Sequence, residues 1–218
     1  MQTKDQAPQS AAPSAGASRA RRSPAAADPA ALGTRDRIVR ATSRLMQRQG
    51  YEGTGIKQIS KEAGATLGSV YHFFPGGKQE LAAEAIRHGD REFAEMLREA
   101  MESADDPAEA VAGCARTLAR ELHASDWIDG CPIAATALET VGRTPGIQEA
   151  VARAFENWQR IVYDKLCAAG FAEEVARDLA YTVISVLEGA ELSAQVSRSE
   201  RPLMAAAEHL ARLIASYR

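Results

Sequence analysis

The stretch Thr54-Gly55-Ile56-Lys57-Gln58-Ile59-Ser60-Lys61-Glu62-Ala63-Gly64-Ala65-Thr66-Leu67-Gly68-Ser69-Val70-Tyr71-His72-Phe73-Phe74 decides the fold. It reads as two short helices joined by a tight glycine turn. Ile56, Ile59 and Ala63 recur at helical spacing and form one apolar stripe, after which Gly64 supplies the left-handed residue that ends the first helix. Thr66 is placed to cap the second helix, which buries Val70 and Phe74 at i, i+4 and turns Leu67, Ser69, Tyr71 and His72 outward. A second helix that splits its faces in this way is a recognition helix for DNA, because outward hydroxyls and aromatics suit phosphates and base edges.

The charge distribution agrees. The net charge of −3 is unpromising for a nucleic-acid partner, but residues 1–78 carry 12 Lys and Arg against 5 Asp and Glu, and residues 79–218 carry 14 against 24. A basic front neutralises phosphates and releases counterions, while an acidic body repels DNA and leaves the front as the favourable docking face. With 218 residues and 45% apolar content the chain has enough material for a core. Cys114, Cys131 and Cys167 are odd in number and never form a CxxC pair, which argues against a disulfide framework or a zinc site and fits a reducing cytoplasm. No apolar run is long enough for a membrane helix and no secretory leader is visible, so a cytoplasmic protein without a membrane partner is expected.

Along the chain, residues 1–32 are rich in Ala, Pro, Ser, Gln and Gly and read as a disordered tail. Its cluster Arg19, Arg21 and Arg22 suits non-specific phosphate contacts, and a solvated extension without a role is the plainer alternative. A helix opens at Gly33-Thr34, carries Ile38, Ala41 and Leu45 on one face, and closes at Gly50. Pro75-Gly76-Gly77 then breaks the chain before a long linking helix from Lys78 to about Met101, with Leu81, Ala85, Phe93 and Leu97 inward. Helices are predicted over 107–124, 132–141, 145–169, 172–196 and 200–216, about nine in all, and no segment alternates as a strand would. The fold class is all-α, with a DNA-reading domain at 33–93 and a second helical domain at 94–218.

Gly50-Tyr51, Thr54, Ile59-Ser60, Ala63-Gly64, Gly68-Ser69-Val70-Tyr71-His72-Phe73-Phe74-Pro75 and Lys78 together resemble the DNA-binding domain of the TetR family of bacterial repressors. The match covers Thr34 to Phe93 and rests on several separately placed signals. The family's commonest form has one residue fewer before the lysine of the linking helix. The Phe74-Pro75-Gly76-Gly77-Lys78 variant, with Gly130-Cys131-Pro132-Ile133 and Ala137-Leu138-Glu139, resembles the LmrA/YxaF-like subgroup, whose members tend to control drug-efflux genes.

The resemblance implies that Tyr71, His72 and Lys78 hold phosphates, that Thr54 and Thr66 give hydroxyl hydrogen bonds to the DNA backbone, and that Leu67, Gly68 and Ser69 sit at base-contact positions. Leu67 departs from the usual polar residue. Readout there comes from apolar contact with thymine methyls or from DNA shape, unless Leu67 is a partly buried packing residue. Phe73, Phe74 and Tyr51 read as core. A short half-site implies a homodimer on a near-palindromic double-stranded operator. Its face falls on Tyr181, Ile184, Ser185, Glu188, Gly189, Leu192 and Val196, with Leu203, Leu210 and Ile214 of the last helix, although burial within one body accounts for the same residues. A small-molecule effector is implied among Trp127, Cys131, Phe155, Trp158, Tyr163, Tyr181 and Glu188, where core packing is the alternative for each aromatic. No cofactor is expected. His123, Asp126 and Cys131 do not make an enzyme by nearness in sequence, and the scattered His72, His88, His123 and His209 lack metal-ligand spacing. The chain is therefore expected to be a ligand-responsive transcriptional regulator, a repressor before an activator; an architectural DNA binder without sequence choice is the competing reading.

Overall fold

The computed structural model describes residues 32–218. The expected tail and its arginines lie outside the described residues. Nine α-helices and no strands make up the described part: α1 (Thr34–Gln49), α2 (Ile56–Glu62), α3 (Leu67–Phe73), α4 (Gly77–Glu102), α5 (Pro107–Ala124), α6 (Pro132–Thr140), α7 (Pro145–Ala168), α8 (Glu173–Ser197) and α9 (Arg201–Ala215). Each predicted helix is present to within about two residues at either end.

Local chemistry explains most of these ends. Asp106 caps α5 by accepting a hydrogen bond from the Ala108 N–H, and a proline opens each of α5, α6 and α7, where its missing N–H has no cost. Gly64, at φ +56°, ends α2 in a Schellman arrangement: the Gly64 N–H donates to the Lys61 carbonyl and the Ala65 N–H to the Ser60 carbonyl.

Two hydrophobic clusters organise the chain. The smaller holds Ile38, Val39 and Ala41 of α1, Ile59 and Ala63 of the α2 region, Val70, Phe74 and Leu81. Arg37 reinforces it by donating from Nε to the Ala63 carbonyl, which anchors the end of α2 to α1. The larger cluster fills the body around Leu97, Leu122, Ile147, Trp158, Leu166 and Leu187 and already takes in Met46, Tyr51, Ala82, Ala85 and Ile86. Helices α1 and α4 thus contribute to both.

The last helix corrects one expectation. Leu203, Leu210 and Ile214 of α9 are buried in the body's own core, with α9 packed along α5, and they do not form an outward dimer stripe. On α8, Ile184 is likewise buried, whereas Tyr181, Ser185, Gly189, Leu192 and Val196 lie exposed along one face.

The junction between α1 and α6 is close. Gly50 has φ +73°, its ideal Cβ would stand 1.9 Å from Glu139 Oε1, and Glu139 Oε2 accepts the Glu52 N–H at 2.6 Å. Gly50→Ala is therefore expected to combine left-handed strain with loss of that hydrogen bond, about 2 kcal/mol in total, and to lower the unfolding temperature by about 5 °C in a circular-dichroism melt.

Candidate nucleic-acid interface and ligand cavity

Helix α3 is built to present its outer face. Thr66 Oγ1 accepts the Ser69 N–H at 3.0 Å and lies 2.9 Å from Ser69 Oγ, so both hydroxyls are engaged at the cap while remaining at the surface. Val70 and Phe74 are fully buried, which fixes the rotation of the helix and leaves Leu67 40% and Tyr71 53% exposed. His72 and Gly68 are exposed beside them. Leu67 is thus an outward residue that does not pack into the small core.

Two side chains depart from expectation. Thr54 is 1% exposed and donates its hydroxyl to the Gly50 carbonyl at 2.7 Å; it fastens the turn after α1 and does not face outward. Phe73, expected in the core, is 37% exposed and meets the His72 ring edge-on, because Val70 and Phe74 already occupy the inward positions of a seven-residue helix. Lys78 sits in the first turn of α4 with Nζ 4.3 Å above the Tyr51 ring and 3.4 Å from the Glu52 carbonyl oxygen. The Gly76 N–H at the same helix end donates to Glu80 Oε2 at 2.7 Å, so the chain's own carboxylate covers that donor.

A cavity of about 320 Å³ lies where head and body meet. Ser43 and Gln47 of α1, Phe93 and Met96 of α4, Leu118 and Glu121 of α5, Cys131 and Ile133 at the start of α6, Trp158 of α7 and Glu191 of α8 all reach it. Of the expected pocket residues it unites Cys131 and Trp158. Phe155 lies behind them, packed on Trp158 at 5.2 Å between ring centroids. Glu188 stands next to the Cys131 thiol. Trp127 is apart, stacked on His123, and Tyr163 and Tyr181 belong to a separate shallow depression between α7 and α8. Those three do not line the cavity.

The wall at Asp129 and Gly130 belongs to the connection between α5 and α6. Asp126 and Trp127 there adopt φ +56° and +67°, a left-handed pair without glycine that carries strain of about 1–3 kcal/mol per residue. Three contacts hold it: Arg198 pairs with Asp126, Gln195 Nε2 donates to the Ile128 carbonyl at 2.8 Å, and Arg48 Nε of α1 donates to Asp129 Oδ1 at 2.9 Å. The connection therefore touches the cavity on one side and the DNA-reading head on the other.

Three carboxyls near the cavity are held above their usual range. Burial, then the neighbouring carboxyls of Glu188 and Glu121, raises Glu191 to about 8. Burial raises Glu188 to about 7, partly opposed by the Cys131 thiol that hydrogen-bonds to it, and burial also raises Glu121. Burial pushes the Cys131 thiol well up too, which makes it a poor nucleophile. Among the described residues no group of three or more His, Cys, Asp or Glu side chains is arranged for a metal, and no helix is long and apolar enough to cross a membrane.

A capped, outward-facing second helix on a small three-helix head, joined by one long helix to an all-α body, defines a helix-turn-helix transcriptional regulator. The chain belongs to the TetR family of bacterial transcriptional regulators. Residues 38–85 match the family described as bacterial regulatory proteins, tetR family, and residues 107–209 match the C-terminal domain described as transcriptional regulator LmrA/YxaF-like. It is 34% identical over 181 residues to the uncharacterized HTH-type regulator YxaF of Bacillus subtilis, covering 83% of this chain and 95% of that one. It is also 34% identical over 171 residues to the HTH-type regulator LmrA of the same organism, covering 78% and 91%. Among solved structures, a TetR regulator from Legionella pneumophila superposes with a TM-score of 0.74 at 21% identity, over 84% of this chain and 97% of that one. These relatives are regulators and not enzymes.

The raised carboxyl of Glu191 has a consequence for stability. Its folded value lies above its unfolded one, so its contribution is fully present below about pH 4.5 and is lost as the pH rises through about 8. Glu191→Gln is expected to match the wild type near pH 5 and to exceed it at pH 8 by on the order of 2–4 kcal/mol, measured by thermal unfolding across that range.

Proposed function

We propose that this chain is a dimeric, ligand-responsive repressor that occupies a palindromic operator and leaves it when a small lipophilic molecule enters the cavity between head and body. The observation that carries this reading is the composition of the cavity wall. Ser43 and Gln47 come from α1, Phe93 and Met96 from α4, and Asp129 is ion-paired to Arg48 of α1. An occupant cannot fill the space without touching the two helices on which the position of α3 depends. In this reading residues 33–93 read DNA and lend Ser43, Gln47, Glu92 and Phe93 to the cavity, and residues 94–218 supply the rest of the effector site and dimerise, in the cytoplasm where the genome lies. By analogy with LmrA-like regulators, the regulated gene is an efflux or detoxification gene.

Tyr71 and His72 grip phosphates from the exposed face of α3, with Thr66 at its capped end and Lys78 at the start of α4. Leu67, Gly68 and Ser69 lie against base edges, Leu67 through apolar contact with thymine methyls. Thr54 drops out of this set because its hydroxyl is turned inward. Dimerisation uses the outward face of α8, where Gly189 has open space above it and Leu192 and Val196 stand free. Such a face lets a partner helix approach closely.

Footprinting on DNA upstream of the chain's own gene and its neighbours tests the reading. A protected near-palindrome is expected, and random protection at moderate salt would instead mark an architectural binder. Tyr71→Phe should weaken operator binding about tenfold with an unchanged unfolding temperature. Leu192→Glu should give a folded monomer by light scattering that no longer protects both half-sites; a dimer of wild-type stability would exclude the α8 face.

A further inference from the structure

We propose that the cavity takes a cationic amphiphile, an ammonium group on an aromatic or branched apolar body, and that Glu191 is its counter-ion. The inference rests on the reading of this cavity as the effector site and names the chemical class of the occupant.

The wall has two parts. Phe93, Met96, Leu118, Leu122, Ile133 and Trp158 supply an apolar and aromatic lining, and Glu92, Glu121, Asp129 and Glu191 supply the charged groups. No Lys, Arg or His is among the lining residues. Two of the four carboxylates already have partners: Glu92 lies 3.3 Å from His88 Nε2, and Asp129 holds Arg48. Glu121 and Glu191 have none. Glu191 is only 8% exposed, faces the cavity, and makes no side-chain hydrogen bond or ion pair among the described residues. Glu188, one turn before it on α8, has Oε2 buried without a partner. The indole N–H of Trp158, a lining residue, is unpartnered too and, as a donor, calls for an acceptor on the ligand body and not for the ammonium. Buried polar groups are ordinarily satisfied, and the cavity is large enough for a small organic molecule.

The sign of the missing partner follows from what faces Glu191. Glu188 adjoins it on α8, Glu121 and Cys114 of α5 and Cys131 at the start of α6 are close enough to interact with it, and Trp158 of α7 and Glu92 of α4 line the same cavity. The cations near the cavity act on its other carboxyls: Arg120 on Glu121, His88, Arg40 and Arg91 on Glu92, and Arg48 on Asp129, while the charged groups that act on Glu191 are the carboxyls of Glu188 and Glu121. At the Glu191 end an anionic ligand meets carboxyls, whereas an ammonium meets Glu191 directly, with the Trp158 and Phe93 rings in the same wall. Without a ligand the cluster stays tolerable by holding protons near neutrality, because burial raises Glu191 to about 8 and Glu188 to about 7. A bound ammonium replaces such a proton. Its affinity therefore rises with pH between about 6 and 8, by up to tenfold per unit for one proton released.

The test uses one ring with three charges: 2-(1-naphthyl)ethylamine, 2-(1-naphthyl)ethanol and 1-naphthylacetate, titrated calorimetrically into the full chain at several pH values and in buffers of different ionisation enthalpy. The amine is expected to bind at least about tenfold tighter than the alcohol, with proton release near pH 7, and the acetate is expected not to bind. Glu191→Gln should bring the amine to the level of the alcohol and leave the alcohol unchanged. Glu121→Gln, on the more exposed side of the cavity, provides a second variant with a smaller loss. Equal binding of amine and alcohol, tighter binding of the acetate, or an amine unaffected by Glu191→Gln would overturn the cationic assignment and leave the effector cavity standing. Failure of all three to bind at about 1 mM would remove the cavity as an effector site as well.

Discussion

The continuity of α4 is the constraint on which the rest depends. Its 26 residues put Leu81 into the small core of the head and Ala82, Ala85, Ile86, Ala94, Leu97 and Met101 into the core of the body. A helix with an unbroken hydrogen-bond ladder transmits displacement along its axis with little loss, since a bend would cost backbone bonds. The only glycine in its middle, Gly89, is used for closeness: a Cβ there would come within 3.4 Å of Pro132 at the start of α6. Head and body are therefore two cores on one rod, and in the proposed ligand response a shift of the rod in the body carries α3 with it.

The second connection is weaker and of a different kind. Arg48 to Asp129 and Glu52 to Glu139 cross between the α1 end of the head and the α6 region through polar contacts at the surface. Such contacts break at little cost. Asp129 belongs to a strained connection that also walls the cavity, so polar coupling and packing coupling converge on one space. An interface with both a stiff element and a breakable one has the form of a two-state joint.

Much of the fold was legible in the sequence because helix punctuation is local. Prolines at the starts of α5, α6 and α7, Gly50 and Gly64 at ends, and the cap at Thr66 act within a few residues, and all are where expected. What covers a stripe is not local. Leu203, Leu210 and Ile214 repeat at helical spacing whether the neighbour is α5 or a second chain, and only the packing decides for α5. The same limit applies to the site. Aromatic content marked Trp127, Tyr163 and Tyr181, which lie elsewhere, and passed over Phe93, Met96, Glu121 and Glu191, whose importance comes from facing one space from three helices. A glutamate inside an apolar stretch of α8 was the available signal for Glu191, since Glu191 stands among Ile184, Leu187 and Ala194. Thr54 shows the converse: a hydroxyl in the right place along the chain, committed to the backbone of its own turn.

The hydrogen bond from the Gly76 N–H to Glu80 bears on how the free protein is poised. The start of α4, with Lys78 in its first turn, is a natural seat for an anion, and the protein seats its own there. In the proposed operator complex, a DNA phosphate reaching this corner takes over from a tethered rival, and the departing carboxylate has to find water. On that reading, binding at this point is an exchange of one anion for another, and the strength of the seat matters less to operator affinity than the margin by which a phosphate outcompetes Glu80.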